Sequence, residues 1–272
     1  MEIFYIRFLL VSIFTFAHFT LSAYPGIITH HLPLDTVEKN EIIPEEAFRL
    51  LLQVGHTTEA ENYQGFYGEL TSFLERMARR QKRYQSEERF VRYLFYKIHN
   101  KYLKQYRQQA DFYELMDQGV YDCVTAASLY SLALAALNIQ HSIEELPYHV
   151  YLTVETRDTQ KTILLETTDN FQGFVNTQED IAKRINSYSK PGNQDESEHY
   201  HYDFDIDHSI SLKQLIGLNY FNKAVFLYNN RKIEKAGSLL SVAKNLYPGK
   251  RMDAFEALIA RTHTRQIASS DR

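Results

Sequence analysis

Hydrophobic positions recur with helical spacing over much of the first half of the chain. One such stretch begins near Pro44 and is interrupted at Gly55, and a second ends near Lys82. A third runs from 87 to 107, with Ser86 as a suitable N-cap. The pattern therefore predicts an N-terminal region built from helices.

The stretch that follows is apolar on nearly every side. Residues 124–137 contain alanine, valine, leucine, small hydroxyl side chains and one tyrosine, which predicts a helix enclosed by protein rather than one lying on a surface. Asp122 can cap the N–H groups of its first turn, and Asn138 can end it. Cys123, the only cysteine of the chain, is thus expected to open a buried helix.

Two segments with the period of a β-strand come next. Residues 147–155 and 162–169 alternate in this way, and a short polar run separates them. A hairpin centred near Arg157 brings Glu166 opposite or nearly opposite His149 on one face. The chain therefore carries a cysteine, a histidine and a carboxylate in the order of a thiol nucleophile, its base and the acid that orients the base.

Cys123 by itself leaves two interpretations open. A thiol in the first turn of a helix lies at the positive end of the helix dipole, which favours the thiolate that attacks carbonyl carbons. Most free cysteines, however, are small buried apolar residues, and the neighbouring carboxylate of Asp122 opposes a thiolate. The residue is either a nucleophile or part of the core.

Three motifs resemble those of the transglutaminase-like group of the papain-like cysteine hydrolase superfamily. They are Tyr-Asp-Cys at 121–123, His-Val-Tyr-Leu at 149–152 and Leu-Glu-Thr-Thr at 165–168. The resemblance covers about 86–174 and 211–251, and it is closest to bacterial members with a tetratricopeptide-like tail. It implies an α+β fold whose papain- or transglutaminase-like core packs a buried cysteine helix on an antiparallel sheet.

The resemblance also implies a chemistry. Cys123 is expected to attack an amide or ester carbonyl of a peptide or protein substrate, with His149 as base and Glu166 as orienting acid, and no cofactor is implied. The family usually has an aspartate followed by proline at the acid, so Asp169 is the reserve candidate. Two side chains before the cysteine are candidate donors to the oxyanion: Gln118 and Tyr121. The alternative is a catalytically inactive module that keeps the fold and binds a protein partner.

The C-terminal part has the pattern of a helical repeat. Residues from Gly217 to about Lys250 fit one tetratricopeptide repeat with a break at 229–232, and a third amphipathic helix follows. One repeat cannot bury its own face, so the tail, 211–265, is expected to dock on the cysteine domain, 44–210, or on a protein partner. Docking as a packing appendage is the simpler interpretation.

The ends of the chain are expected to lie outside these units. Residues 1–23 combine a short apolar run with small residues at its end, as secretory signal peptides do, which predicts an exported protein of the periplasm or the extracellular medium. The run is too short for a comfortable membrane span, so a retained anchor is the less favoured alternative. An irregular arm is expected at 24–43, and a disordered C-terminus at 266–272.

Composition bears on the remaining function classes. A chain of 272 residues can bury a substantial core, and its net charge of -4 disfavours nucleic acid as a partner. Residues 199–208 alternate with a period of two, and His199 and His201 among aspartates are weak candidate metal ligands. An edge strand or loop with a wet polar side explains this alternation equally well.

Overall fold

A computed structural model describes residues 45–54, 62–188 and 208–270. Its elements are, in chain order, α1 (Glu45–Leu52), α2 (Tyr63–Gln81), α3 (Glu87–Tyr102), β1 (Gln105–Tyr106), α4 (Phe112–Gln118), β2 (Val120–Tyr121), α5 (Cys123–Ala136), β3 (His141–Leu146), β4 (His149–Glu155), β5 (Thr162–Leu165), β6 (Phe174–Val175), α6 (Gln178–Tyr188), β7 (His208–Ile210), α7 (Leu212–Asn229), α8 (Ile233–Leu246) and α9 (Lys250–Ser270). The fold is thus of the mixed helix-and-sheet kind that the sequence predicts.

A five-stranded antiparallel sheet, in the order β6-β5-β4-β3-β7, forms the centre of the molecule. The hairpin predicted from the alternation is present, since β4 pairs with β5 and Leu152 lies opposite Leu165. Extending this register by one pair sets Glu166 opposite Tyr151. Side chains two residues apart on a strand share a face, so Glu166 lies diagonally across from His149.

The helix α5 packs against β3 and β4, and every residue from Val124 to Leu134 is buried. A reciprocal cap fixes its start: Asp122 accepts from the Thr125 N–H at 2.8 Å, and the Thr125 hydroxyl accepts from the Asp122 N–H at 2.8 Å. After the helix, Asn138 adopts a left-handed backbone with φ 54°. The prediction of an enclosed helix capped by Asp122 is confirmed.

The third predicted helix, 87–107, is wrong at its C-terminal end. α3 stops at Tyr102, and Tyr106 instead belongs to a short strand that runs parallel to β2. The carbonyl of Gly119 accepts from the N–H groups of the two residues before Tyr106 at 2.8 and 3.1 Å. Gly119 has φ 74°, and a Cβ there would lie 2.8 Å from the Tyr102 carbonyl oxygen, so only glycine fits. The helical spacing of apolar residues continues to Tyr106, so the spacing does not reveal that α3 ends at Tyr102.

Two further helices, α4 and α6, are absent from the sequence-based prediction. Both are short, with 7 and 11 residues, and the helical stripe that marks longer segments is correspondingly weak. α6 packs against the face of the sheet that carries Tyr151 and Leu164, opposite the face that α5 covers.

The tail shares its core with the rest of the protein. α7 packs on α1 and α5, where the Tyr220 hydroxyl donates to the Leu50 carbonyl at 2.9 Å and the Asn219 amide donates to the Ser128 hydroxyl at 3.0 Å. One continuous cluster of buried side chains runs from α1 to α9. Within the described residues, the tail is therefore docked on the cysteine domain.

A buried ion pair connects α9 with the sheet. Arg251, at the start of α9, contacts the carboxylate of Glu145 on β3, and both side chains are buried. The Tyr247 hydroxyl donates to the other oxygen of Glu145 at 2.7 Å and lies 2.8 Å from Nε2 of His208. Opposite charge and hydrogen bonding thus compensate the burial of Glu145.

Several predictions concern the ends of the chain and one internal segment. The signal peptide (1–23), the arm (24–43), His199 and His201 lie outside the described residues. The disordered C-terminus predicted at 266–272 is wrong up to Ser270, because α9 continues to that residue, and no glycine or proline interrupts it after Lys250. In the part of the chain that is described, no helix has the length and apolar character needed to cross a membrane.

Candidate active site

Three elements meet at one end of the sheet. Cys123 is the first residue of α5, His149 is the first residue of β4, and Glu166 directly follows β5. The helix α5 packs on β4, and the backbone N–H of Val150 faces the cysteine sulfur. The fold therefore brings the three residues predicted as nucleophile, base and acid to the same end of the sheet.

The imidazole of His149 is bonded to Glu166. Its Nε2 lies 2.6 Å from Oε2 of the carboxylate, and Glu166 is buried while the His149 side chain keeps 22% of its exposure. A carboxylate can only accept, so Nε2 carries the proton and Nδ1 is the basic nitrogen. In the described residues, Nδ1 makes no hydrogen bond to another residue.

Glu166 has further partners. Thr168 donates to its Oε1 twice, from the backbone N–H at 3.1 Å and from the hydroxyl at 2.6 Å, and the Tyr188 hydroxyl donates to Oε2. Burial by itself raises the pKa of this carboxyl, but the bond to His149 and those from Thr168 and Tyr188 outweigh it and leave the pKa below the ordinary value. Glu166 is consequently a stable anion.

Tyr188, the last residue of α6, also packs on the base. Its ring centroid lies 4.6 Å from that of His149 and 5.4 Å from that of Tyr151. One side chain thus covers the imidazole with its ring and holds the carboxylate with its hydroxyl. Tyr188 is not among the residues predicted from the sequence, because α6 was not predicted and no local motif marks the residue.

The reserve acid has a different role. Asp169 caps the turn that follows Glu166, accepting from the N–H groups of Phe171 at 3.0 Å and Gln172 at 2.8 Å, and it forms an ion pair with Arg184 at 2.7 Å. These bonds, against the opposing effect of burial, hold the pKa of Asp169 below its ordinary value. It makes no contact with His149 in the described structure, so the carboxylate at the base is Glu166.

The turn that carries Glu166 is tightly enclosed. A Cβ at Gly173 would lie 2.3 Å from the carbonyl oxygens of both Glu166 and Asp169, so the chain can close there only on glycine. His99, which is buried, packs beneath the same turn, and the Thr167 carbonyl lies within reach of its ring. Burial lowers the pKa of His99 to about 4, so the ring is neutral at pH 7.

The environment of Cys123 differs from the one that its helix position suggests. The residue is partly accessible, but packing around the sulfur raises the pKa of the thiol, and the carboxylates of Asp122 and Glu166 raise it further. The N–H groups of Val150 and of Cys123 itself act in the opposite direction and do not compensate. Burial and the two carboxylates therefore outweigh the favourable effect of the helix N-terminus, and the resting form is a neutral thiol.

No hydrogen bond joins the cysteine sulfur to the His149 ring among the described residues. Such contacts are often long in a protein without substrate and shorten when the substrate is bound. Because the thiol is neutral, its proton must move as the sulfur attacks. The arrangement is suited to general-base assistance rather than to a preformed ion pair.

The two candidate oxyanion donors are not equivalent. Gln118 is exposed at the end of α4 and donates to Asp117 at 3.1 Å, so its amide is engaged away from the thiol. Tyr121 is buried between two rings, 6.3 Å from His99 and 5.9 Å from Tyr106, centroid to centroid. The backbone N–H of Cys123 faces the sulfur and remains the best-placed donor.

Tyr106 is a second residue that the sequence analysis missed. It pairs with Tyr121 across the β1–β2 ladder and is half exposed. Burial raises its pKa to about 12, with contributions from Cys123, Asp122 and Glu166, so its hydroxyl stays protonated beside the site. The incorrectly extended helix 87–107 concealed it, because a residue on that helix would lie away from the cysteine.

The described residues contain no group of three or more histidine, cysteine, aspartate or glutamate side chains arranged to hold a metal ion. Comparison with protein-family models, with curated proteins and with solved structures finds no match to this chain. The geometry of Cys123, His149 and Glu166 is therefore the basis for assigning a function.

Proposed function

We propose that this protein is a transglutaminase-like cysteine hydrolase or acyltransferase that acts on an amide or ester carbonyl. The observation that carries the proposal is the 2.6 Å bond between His149 and Glu166 at the point where the buried helix α5 begins with the only cysteine. A papain-like core, with this helix packed on an antiparallel sheet, is part of the same proposal. The three sequence motifs that resemble the family support it.

The reaction begins with the neutral thiol. The Cys123 sulfur forms a bond to the carbonyl carbon while its proton passes to Nδ1 of His149, and the carbonyl electron pair moves to the oxygen. The Cys123 N–H stabilises that oxyanion. When the tetrahedral intermediate collapses, the amine or alcohol leaves with the proton from His149, and a thioester remains.

The second half of the reaction restores the enzyme. Water or an amine gives a proton to His149 and attacks the thioester, and the sulfur leaves as a thiol when that proton returns to it. Water yields hydrolysis, whereas an amine yields a new amide. Throughout, the anionic Glu166 keeps Nε2 protonated and stabilises the imidazolium that forms at each step.

The test is the rate at which iodoacetamide alkylates the single cysteine, followed by mass spectrometry over a range of pH. Because the thiol pKa is raised, the uncatalysed reaction at pH 7 is slow, and His149 must supply most of the rate. We expect His149→Ala to lower the rate at pH 7 by about 100-fold, with convergence of the two proteins at strongly alkaline pH, where the thiolate forms without help. His263→Ala, on the exposed side of α9, is the matched control and should behave like the unchanged protein.

A second candidate function is a catalytically inactive module that binds a protein partner. Two observations favour it: the raised pKa of the thiol and the absence of a Cys123–His149 hydrogen bond in the described residues. It predicts that Cys123 reacts slowly and identically with and without His149 at every pH. That result would exclude the enzyme.

A further inference from the structure

Exposed aromatic residues lie on the chain segments that carry the candidate site. In the described part of the chain, three large hydrophobic side chains are exposed: Tyr106 (50%), Tyr148 (52%) and Phe171 (86%). Tyr106 lies near Cys123, Tyr148 directly precedes His149 in the chain, and Phe171 lies in the turn that begins at Glu166. We refer to the three residues as the aromatic rim.

The placement of the rim follows from the fold. Tyr106 lies in register with Tyr121, two residues before the nucleophile, and it is close enough to Cys123 for the two side chains to interact electrostatically. Tyr148 forms the tip of the β3–β4 hairpin and directly precedes His149. Phe171 lies in the turn that begins at Glu166.

Exposing three large rings is unfavourable unless they serve a partner. Each ring loses hydrophobic stabilisation that burial would provide, and exposed apolar side chains concentrated in one region of a surface are typical of binding sites. Elsewhere in the described structure, aromatic side chains are buried or half-buried. The concentration of the three exceptions at one site is thus a property of the site and not of the surface in general.

The charges near the sulfur restrict the partner further. The carboxylates of Asp122 and Glu166 both act on Cys123, and Tyr106 experiences the same two anions. A substrate carboxylate beside the scissile bond would be repelled. A neutral apolar group can pack on the aromatic rim and is not repelled by these carboxylates.

We propose that the aromatic rim recognises an extended peptide with a bulky, uncharged apolar side chain next to the carbonyl that Cys123 attacks. The inference rests on the proposed function, because it concerns the substrate of the same site. The side chain packs on the rim as the backbone crosses the thiol. Acidic peptides are poor substrates, because the carboxylates of Asp122 and Glu166 repel a substrate carboxylate.

The experiment compares three alkylating probes on the full chain: iodoacetamide, N-benzyl-2-iodoacetamide and iodoacetate. With each probe the sulfur forms a bond to carbon, iodide leaves with the electron pair, and the thiol proton passes to His149. Rates are divided by those of N-acetylcysteine, which removes the intrinsic reactivity of each probe. We expect a benzyl-to-iodoacetamide preference of about tenfold and a similar factor against iodoacetate.

Alanine variants of the rim residues test whether the rim causes the benzyl preference. Replacing the rim residues one at a time with alanine should reduce the benzyl preference about threefold each, and the triple variant should lose it. Tyr93→Ala is the control, since this half-buried tyrosine on α3 packs on Arg80 and Lys97 instead of the site. Rim side chains are exposed, so the variants should melt at the temperature of the unchanged protein, and the single variants serve if the triple one does not fold.

A benzyl preference that is absent, or that persists in the triple variant, overturns the inference, as does an equal or faster reaction with iodoacetate. These failures differ from failure of the proposed function. If iodoacetamide labelling still depends on His149 while the benzyl preference is absent, only the rim is wrong. If labelling does not depend on His149, the catalytic proposal itself fails.

Discussion

Nε2 of His149 and Oε2 of Glu166 lie 2.6 Å apart, which fixes Nδ1 as the ring nitrogen that can accept the Cys123 proton. Replacing the carboxylate by an amide removes the charge that stabilises the imidazolium. We expect Glu166→Gln to lower iodoacetamide labelling at pH 7 by about 10- to 100-fold with little change in fold. Asp169→Asn, which alters the neighbouring turn but not the base, should have a much smaller effect, and equal losses in both variants would contradict the assignment of Glu166.

Tyr188 acts on the same pair through its ring and its hydroxyl. Tyr188→Phe keeps the ring over His149 and removes only the bond to Glu166, so we expect the labelling rate to fall about three- to tenfold. Tyr188→Ala removes both contacts and should fall further. Labelling rates across pH separate the two effects, because loss of the hydroxyl raises the pKa of Glu166. Identical rates for both variants and the unchanged protein would mean that Tyr188 does not position the base.

Asp122 gives a pH dependence of stability with a defined sign. Burial, opposed by hydrogen bonds from Thr125, raises its pKa from 3.8 to about 6 in the folded protein. The folded state therefore favours the protonated form, and this stabilisation is present below about pH 4 and is lost as the pH rises through 6. A shift of this size corresponds to roughly 3 kcal/mol.

Asp122→Asn keeps an N-cap oxygen and removes the titration. The difference in unfolding free energy between the two proteins, measured in urea, should change in favour of the variant as the pH rises from 4 to 7. The thiol pKa should also fall, because the Asp122 carboxylate is one of the groups that raise it. A difference that stays constant with pH would show that Asp122 is not perturbed.

A substitution at Gly173 tests whether the turn that carries Glu166 must keep its exact backbone path. An added Cβ lies 2.3 Å from two carbonyl oxygens and 2.8 Å from the Phe95 ring, so the turn must shift. We expect Gly173→Ala to reduce both stability and labelling, the latter because Glu166 moves away from His149. Gly68→Ala on α2 is the matched control, since nothing lies within 4 Å of its added Cβ. Normal labelling in Gly173→Ala would show that the turn tolerates the displacement.

The Arg251–Glu145 pair tests the docking of the tail. Arg251→Ala leaves a buried carboxylate that keeps its bond from Tyr247 but loses its cationic partner, and we expect a loss of about 3–5 kcal/mol in urea unfolding. Lys244→Ala removes two exposed ion pairs at the neighbouring helix and should change stability far less, because solvent screens exposed charges. Similar effects of the two substitutions would contradict a tail held by the buried pair.

Local sequence determined a large part of the fold. The uninterrupted apolar run after Cys123 can be stable only inside protein, and Asp122 caps it by a bond to a residue three positions away. The shared face of the hairpin strands likewise follows from alternation, which is why His149 and Glu166 could be assigned to one face. These relationships depend on neighbours in the chain or on a period of two, and both are visible in a single sequence.

Only the tertiary structure decided the remaining features. Tyr188 reaches Glu166 from 22 residues away, and Tyr106 joins the site because β1 pairs with a strand before the nucleophile. The direction of the thiol pKa shift could not be predicted from the sequence either. The helix dipole acts locally, whereas burial and the Glu166 charge depend on packing. The effects of desolvation and of charges on a pKa are summed over residues that folding brings together, and a linear pattern of residues does not show which ones these are.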